Sequence, residues 1–285
     1  MKILMILIRW PWGVGEVVRS ISKEFKKLGH EVDVIAREED LKKYSLISSI
    51  FPIRRKINEL MKEKKYDIIY THDWSTTFPL LFPYRIFKKK HFCIFYGNQI
   101  GHTKIFQNLV GKIMRKNLFV VGDLNKKKFP HSTLVRNAVD MEKFKPLKKK
   151  RIYLGWPEKG TEAITREEVL EIGKKLNMPV LIAKNLPSEK MNEFYNQCKV
   201  FLSFPPRASA GALSWMEAMS AGVPIIIGNY ESESYLFPIE KSKNVKDIEN
   251  IIRNAKEKNN RKWLEEHDFK WENHVHKLIE VFQNN

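Results

Sequence analysis

The chain reads as an α/β protein made of two doubly wound domains in succession. Three observations predict this. Short apolar runs without alternation recur along the 285 residues, as expected of strands buried on both faces of a parallel sheet. Segments with helical spacing separate them in regular order. The alternation breaks at a charged, proline-containing stretch, 143–151 (KFKPLKKKR), and then restarts. Two domains of about 140 residues each would fit the ordinary size range.

The first half opens on Ile3–Ile8, a continuous apolar run followed by a Gly-containing turn. Val17, Val18, Ile21, Phe25 and Leu28 then recur at helical spacing, and Gly29 stops that helix. EVDVIA (31–36) is the next strand, so the opening is a βαβ unit with parallel strands and a right-handed crossover. A helix over about 45–65, kinked at Pro52, leads to the strand YDIIYTH (66–72). A helix over 75–88, the strand HFCIFY, a helix over 103–116, and the strands NLFVVG and STLVRN complete this half. After the linker come RIYLGW, a helix over 162–176, PVLIAK, a helix over 188–197, VFLSFP, a helix over 212–221 and VPIIIGN. Helical segments over 245–257, 260–266 and 271–283 follow. The boundaries implied are 1–145 and 146–268, with a closing helical segment 269–285.

Charge is unevenly placed. The chain holds 51 Lys/Arg against 33 Asp/Glu, a formal net charge of +18. Residues 1–145 hold 29 basic and 14 acidic residues, and residues 146–285 hold 22 and 19. The surplus therefore belongs to the first half, where it points to an anionic partner. No helix-turn-helix, RNA-recognition or zinc-finger pattern accompanies it, so nucleic acid is not the expected partner. Cys93 and Cys198 make no CxxC or Cys/His cluster, and no metal site is expected. The longest apolar run is six residues, far below the roughly 20 needed to span a bilayer. Arg9 interrupts the opening run before any small-residue cleavage site, so a cytoplasmic chain is expected, with a peripheral place on the inner face of a membrane left open by the basic surplus.

Four places carry chemistry. Gly13 and Gly15 follow the first strand, where glycine lets backbone approach a ligand and the next helix start attracts anions. Taken alone, this is equally a tight strand-to-helix turn. His72 and Asp73 end a strand in YTHDW, and His72 reads equally as a hydrogen-bonded structural residue. Lys159, with Gly160, lies at a strand-to-helix turn suited to phosphate oxygens. Finally, FLSFPPRASAGALSWMEAMSAGVPIIIGN (201–229) runs from a buried strand through a small-residue turn into a helix containing Glu217. Exposed N–H groups at that helix start suit a diphosphate, and a carboxylate accepts two hydrogen bonds from vicinal ribose hydroxyls.

Five segments in order then resemble the family-4 group of retaining, nucleotide-sugar-dependent glycosyltransferases. They are LGHEVDVIA, NAVDMEKFKP, GWPEKG, MEAMSAGVPIII and DFKWENHV. The resemblance implies the GT-B fold, two Rossmann-like domains facing a central cleft. The first domain would bind the acceptor and the second the nucleotide sugar, with the closing helix packing back toward the first domain. It implies that Glu217 holds the ribose, that Lys159 meets the diphosphate, and that Gly13 and Gly15 face the donor phosphates. The backbone of Gly211, Ala212 and Leu213 would sit at the diphosphate. It implies no metal and no cofactor beyond the donor itself.

The sequence departs from that pattern in three places. The arginine expected beside Lys159 would fall near Gly155 or Trp156 and is absent; Arg207 is the candidate replacement. Ser209 stands where the family has its first glutamate, and Tyr96 where it has its active-site histidine. The catalytic candidates are therefore His72, Asp73 and Tyr96. These departures also leave open a module that binds a nucleotide or glycan without transferring it. Two basic stretches mark the acceptor side: 78–92, with Arg85, Lys88, Lys89 and Lys90, and 104–117, with Lys112, Arg115 and Lys116. Both suit a glycan or lipid-linked anionic acceptor, or an anionic membrane surface, and both also read as solvated lysine-rich faces.

Overall fold

A computed structural model describes residues 1–10, 13–41, 46–82, 90–97, 103–158, 164–204, 213–228, 237–242, 245–254 and 260–284. The chain forms two compact units, Met1–Asn137 with Trp271–Asn285, and Ala138–Lys270. The division falls earlier than the charged stretch 143–151. Phe144 is buried in the core of the second unit, and Arg261 donates to the carbonyls of Met141 (3.1 Å) and Phe144 (3.0 Å).

The first unit runs β1 (Lys2–Leu7), α1 (Val14–Lys27), β2 (Glu31–Ala36), α2 (Arg37–Leu41), α3 (Leu46–Lys64), β3 (Ile68–His72), α4 (Trp74–Leu81), β4 (His91–Phe95), α5 (Thr103–Met114), a 3-10 turn (Arg115–Asn117), β5 (Leu118–Val120), α6 (Asp123–Lys128) and β6 (Thr133–Leu134). Its strands are all parallel in the order β2-β1-β3-β4-β5-β6. Both faces of the sheet are covered, which is why β1 is apolar without alternation. Leu4 and Ile6 pack with Ile53 and Ile57 of α3. On an aromatic layer, Tyr70, Phe92 and Phe119 meet the ring of Phe282 at 5.6, 4.7 and 5.8 Å between centroids, and Phe25 of α1 stacks on it at 6.1 Å. Phe282 belongs to the closing helix Trp271–Gln283, labelled α12 below.

Three local departures from the sequence expectation have clear causes. α4 ends at Leu81, not near 88, because Phe82 is extended and Arg54 donates to the carbonyls of Phe82 (2.7 Å) and Pro79 (3.2 Å). The remainder of the expected span, 83–89, lies outside the described residues. α2 and α6 are too short to show helical periodicity.

The second unit runs β7 (Tyr153–Pro157), α7 (Arg166–Lys175), β8 (Val180–Ala183), α8 (Ser188–Gln197), β9 (Cys198–Ser203), α9 (Leu213–Ser220), β10 (Ile225–Gly228), β11 (Glu240–Ser242), α10 (Val245–Asn254) and α11 (Asn260–Glu266). Its parallel order is β11-β10-β9-β7-β8. α7 starts at Arg166 because Thr165 and Glu168 form a reciprocal capping box.

Candidate functional site

In each unit the strand order fixes where a ligand can enter. Ligands of open parallel sheets bind at the carboxyl ends of the strands, where successive connections diverge to opposite sides. In the first unit that point lies between β1 and β3. In the second it lies between β7 and β9.

At the first crevice, Gly13 caps α1 with φ 45° and ψ −99°, a left-handed conformation suited to glycine. Gly15 lies close under Trp10: a Cβ there would meet the indole at 3.2 Å and the Arg9 carbonyl at 3.4 Å. Across the crevice, β3 ends in His72, and Asp73 follows as the cap of α4. Asp73 has φ 81° and ψ 161°, a region strained for any residue with a side chain, and such strain persists where the surroundings enforce it. Its Oδ1 accepts the Trp74 N–H at 2.7 Å, which caps α4, while burial raises the carboxyl to about 6. Tyr96, just beyond β4, shares a 2.6 Å hydrogen bond between its hydroxyl and His72 Nδ1, with the two rings nearly parallel. Thus the structure brings His72, Asp73 and Tyr96 to adjacent strand ends.

Burial, and then the neighbouring His274, pull His72 down to about 3, so its imidazole is neutral near pH 7. His274 comes from α12 and was not singled out in the sequence. Its Nδ1 pairs with the Arg136 carbonyl at 2.8 Å, so that nitrogen carries the proton, and burial holds its pKa at about 4. The Nε2 atoms of His72 and His274 have no hydrogen-bond partner among the described residues. The sequence signal for His274 was present: it follows the Trp-Glu of the closing motif on the face buried with Trp271 and Val275.

At the second crevice, β7 ends at Pro157, Glu158 follows, and the chain then enters 159–163. Past β9, Phe204 leads into 205–212. Lys159, Arg207, Ser209, Gly211 and Ala212 lie outside the described residues. Leu213 opens α9, and Glu217 sits one turn along it. The Tyr195 hydroxyl donates to Glu217 Oε2 at 2.8 Å, and Tyr195 is wholly buried in the unit's core. This pairing is not legible in the sequence, because the two residues meet only when α8 packs on α9. α9 closes on Gly222 (φ 73°), and Arg151 donates to the freed carbonyls of Ala221 (2.6 Å) and Gly222. No arginine could stand at 154–156 of β7: Leu154 and Trp156 are core residues, and a Cβ on Gly155 would lie 2.2 Å from Cys198 Sγ.

The basic residues separate by topology. Arg85, Lys88 and Lys89 lie outside the described residues. Lys90 directly precedes β4, and Arg115 and Lys116 directly precede β5, with Lys112 in the last turn of α5. These residues therefore sit toward the amino edge of the sheet, opposite the crevice that holds His72 and Asp73. Among the described residues, no helix is long and apolar enough to cross a membrane, and no three His, Cys, Asp or Glu residues cluster as a metal site.

Comparison with known proteins follows the same division. Residues 12–118 match the model of Glycosyltransferase Family 4. Sucrose-phosphate synthase from Thermosynechococcus elongatus superposes with a TM-score of 0.80 at 11% identity, covering 99% of this chain and 98% of that one. The chain has the GT-B fold, and residues 12–118 within its first unit are similar to family-4 glycosyltransferases. A glycosyltransferase from Rickettsia africae shares this GT-B fold (TM-score 0.71, 13% identity, 99% and 98% covered). So does Anabaena HepE in complex with UDP and glucose (TM-score 0.69, 10% identity, all of both chains covered). No curated protein matches the chain by sequence.

Proposed function

We propose that this GT-B chain is a glycosyltransferase that moves a sugar from a nucleotide-sugar donor to an acceptor. The observation that carries the donor half is Glu217, held by the buried Tyr195 hydroxyl on the helix that follows the β7–β9 crevice. A carboxylate fixed in this way presents acceptor oxygens to ribose hydroxyls without losing rotamer entropy on binding. UDP in the HepE structure makes a uridine donor the first to try. Lys159, Arg207, Ser209 and the backbone of 211–213 would surround the leaving diphosphate.

In the first unit, neutral His72, bonded to Tyr96, and Asp73 would position an acceptor hydroxyl. The transition state builds positive charge at the anomeric carbon and negative charge on the diphosphate, so cations and N–H dipoles aimed at the leaving group lower the barrier. By resemblance, the reaction proceeds with retention and without a metal. A glycan or lipid-linked acceptor, presented at an anionic membrane surface, fits the basic first unit.

The closed positions Leu154, Gly155 and Trp156 favour a second reading, a nucleotide-binding module without transfer. Two measurements decide. UDP should raise the melting temperature of the chain and not that of Glu217→Ala. Incubation with UDP-sugars and EDTA should release UDP; nucleotide binding without release under any donor and acceptor leaves the module reading standing.

A further inference from the structure

The surplus positive charge of the first unit includes two ammonium groups that the proposed function has not used. Lys128 ends α6 and donates to Gln107 Oε1 of α5 at 3.3 Å. Gln107 is wholly buried, and its Nε2 donates to the Gly97 carbonyl at 2.7 Å. Lys104 lies one turn before Gln107 on the same face of α5. Gln107 therefore ties Lys128 to the backbone next to Tyr96, at the carboxyl end of β4, with Lys104 one turn away along α5.

Neither lysine has a carboxylate within ion-pair distance among the described residues. Nor does this unit contain an Asp or Glu in the segments outside them. Lys104 also sits in the first turn of α5, where a cation opposes the helix dipole and the turn holds no acidic residue. Burial, and then the like charge of Lys104, lower the Lys128 pKa. Lys128 has the C-terminal turn of α6 and the ring of Phe129 at 5.1 Å to support it, whereas Lys104 has no such support, so the cluster holds two cations with no carboxylate to balance them.

We propose that Lys104 and Lys128 bind a phosphate group carried by the acceptor, which rests on reading the first unit as the acceptor-binding one. Lysine suits a phosphate as a compact point charge with rotatable donors.

Inorganic phosphate and dodecyl phosphate are titrated calorimetrically into the full chain with UDP at saturation, so that the donor site is filled. Both should bind, and Lys104→Gln with Lys128→Gln should weaken both about tenfold or more. Lys112→Gln with Lys116→Gln, at the opposite edge, should change neither. Tighter binding of dodecyl phosphate assigns a lipid-linked source, and equal binding a soluble phosphorylated acceptor. The proposal is overturned by no phosphate binding to the unmodified chain, by unaltered affinity in the Lys104/Lys128 variant, or by an equal loss in the Lys112/Lys116 variant. UDP affinity measured alone separates the outcomes: its absence overturns the donor reading, whereas its presence without phosphate binding overturns this inference only.

Discussion

Asp73→Asn should stabilise the chain while disabling it. Burial raises the Asp73 carboxyl from 3.8 to about 6. A group with a raised folded pKa contributes its full stability below the unfolded value and loses it as the pH rises through the folded one. Two pK units at about 1.4 kcal/mol each set an upper figure of roughly 3 kcal/mol for the cost of ionised Asp73 at pH 8. Partial exposure lowers this to about 2 kcal/mol. Asparagine has the shape of aspartate and keeps the helix cap, so the backbone need not move. At about 2–4 °C per kcal/mol, the variant should melt roughly 5 °C higher at pH 8 by circular dichroism. The gain should shrink as the pH falls below 6 and nearly vanish at pH 4. A gain of the same size at both pH values, or none at pH 8, refutes the reasoning. Donor turnover, by contrast, should fall at least about tenfold, the loss of one positioned hydrogen bond or charge.

Three further outcomes follow from the same contacts. Phe282→Ala should destabilise the first unit by about 3–5 kcal/mol, since the ring touches four aromatic neighbours, and urea melts should show it. Tyr195→Phe keeps the packing but removes the hydrogen bond to Glu217; calorimetry should show UDP binding weakened about tenfold, and a smaller change for 2′-deoxy-UDP. The depressed pKa values of His72 and His274, about 3 and about 4, mean that their neutral forms stabilise the fold above pH 6.5 and lose that effect as the pH falls. His274→Gln should flatten the acid limb of the melting curve between pH 6.5 and pH 4, with little change at pH 8.

The alternation of apolar runs and helical segments was readable because each run is buried on both faces and each helix has one stripe. Ile3–Ile8 and Val17–Phe25 show both patterns plainly. Short elements such as α2 and α6 carry no period, and the end of α4 is set by Arg54, a distant residue. Of the candidate site, the strand ends carrying His72, Asp73 and Tyr96 followed from strand order. What the sequence could not show were pairings made only by tertiary packing: Tyr195 with Glu217, and His274 beside His72. The basic residues illustrate the converse. Lys90, Arg115 and Lys116 stand out in the sequence as charged runs, yet topology sends them to the edge away from the crevice. Lys104 opens one such stretch and Lys128 closes the lysine run 126–128, and these two sit beside it.

The first unit is interrupted: its sheet is made early and its cover, α12, arrives only after all of the second unit. During synthesis, the ring surface of Tyr70, Phe92 and Phe119 must wait, uncovered, while residues 138–270 emerge. The uninterrupted second unit is then free to fold first, reversing the usual order in which domains mature from the amino terminus. His274 rides on the same late helix, so the environment that keeps His72 neutral is assembled last. Loss of the closing helix would thus cost the first unit both its aromatic seal and the environment of its buried histidine in one event.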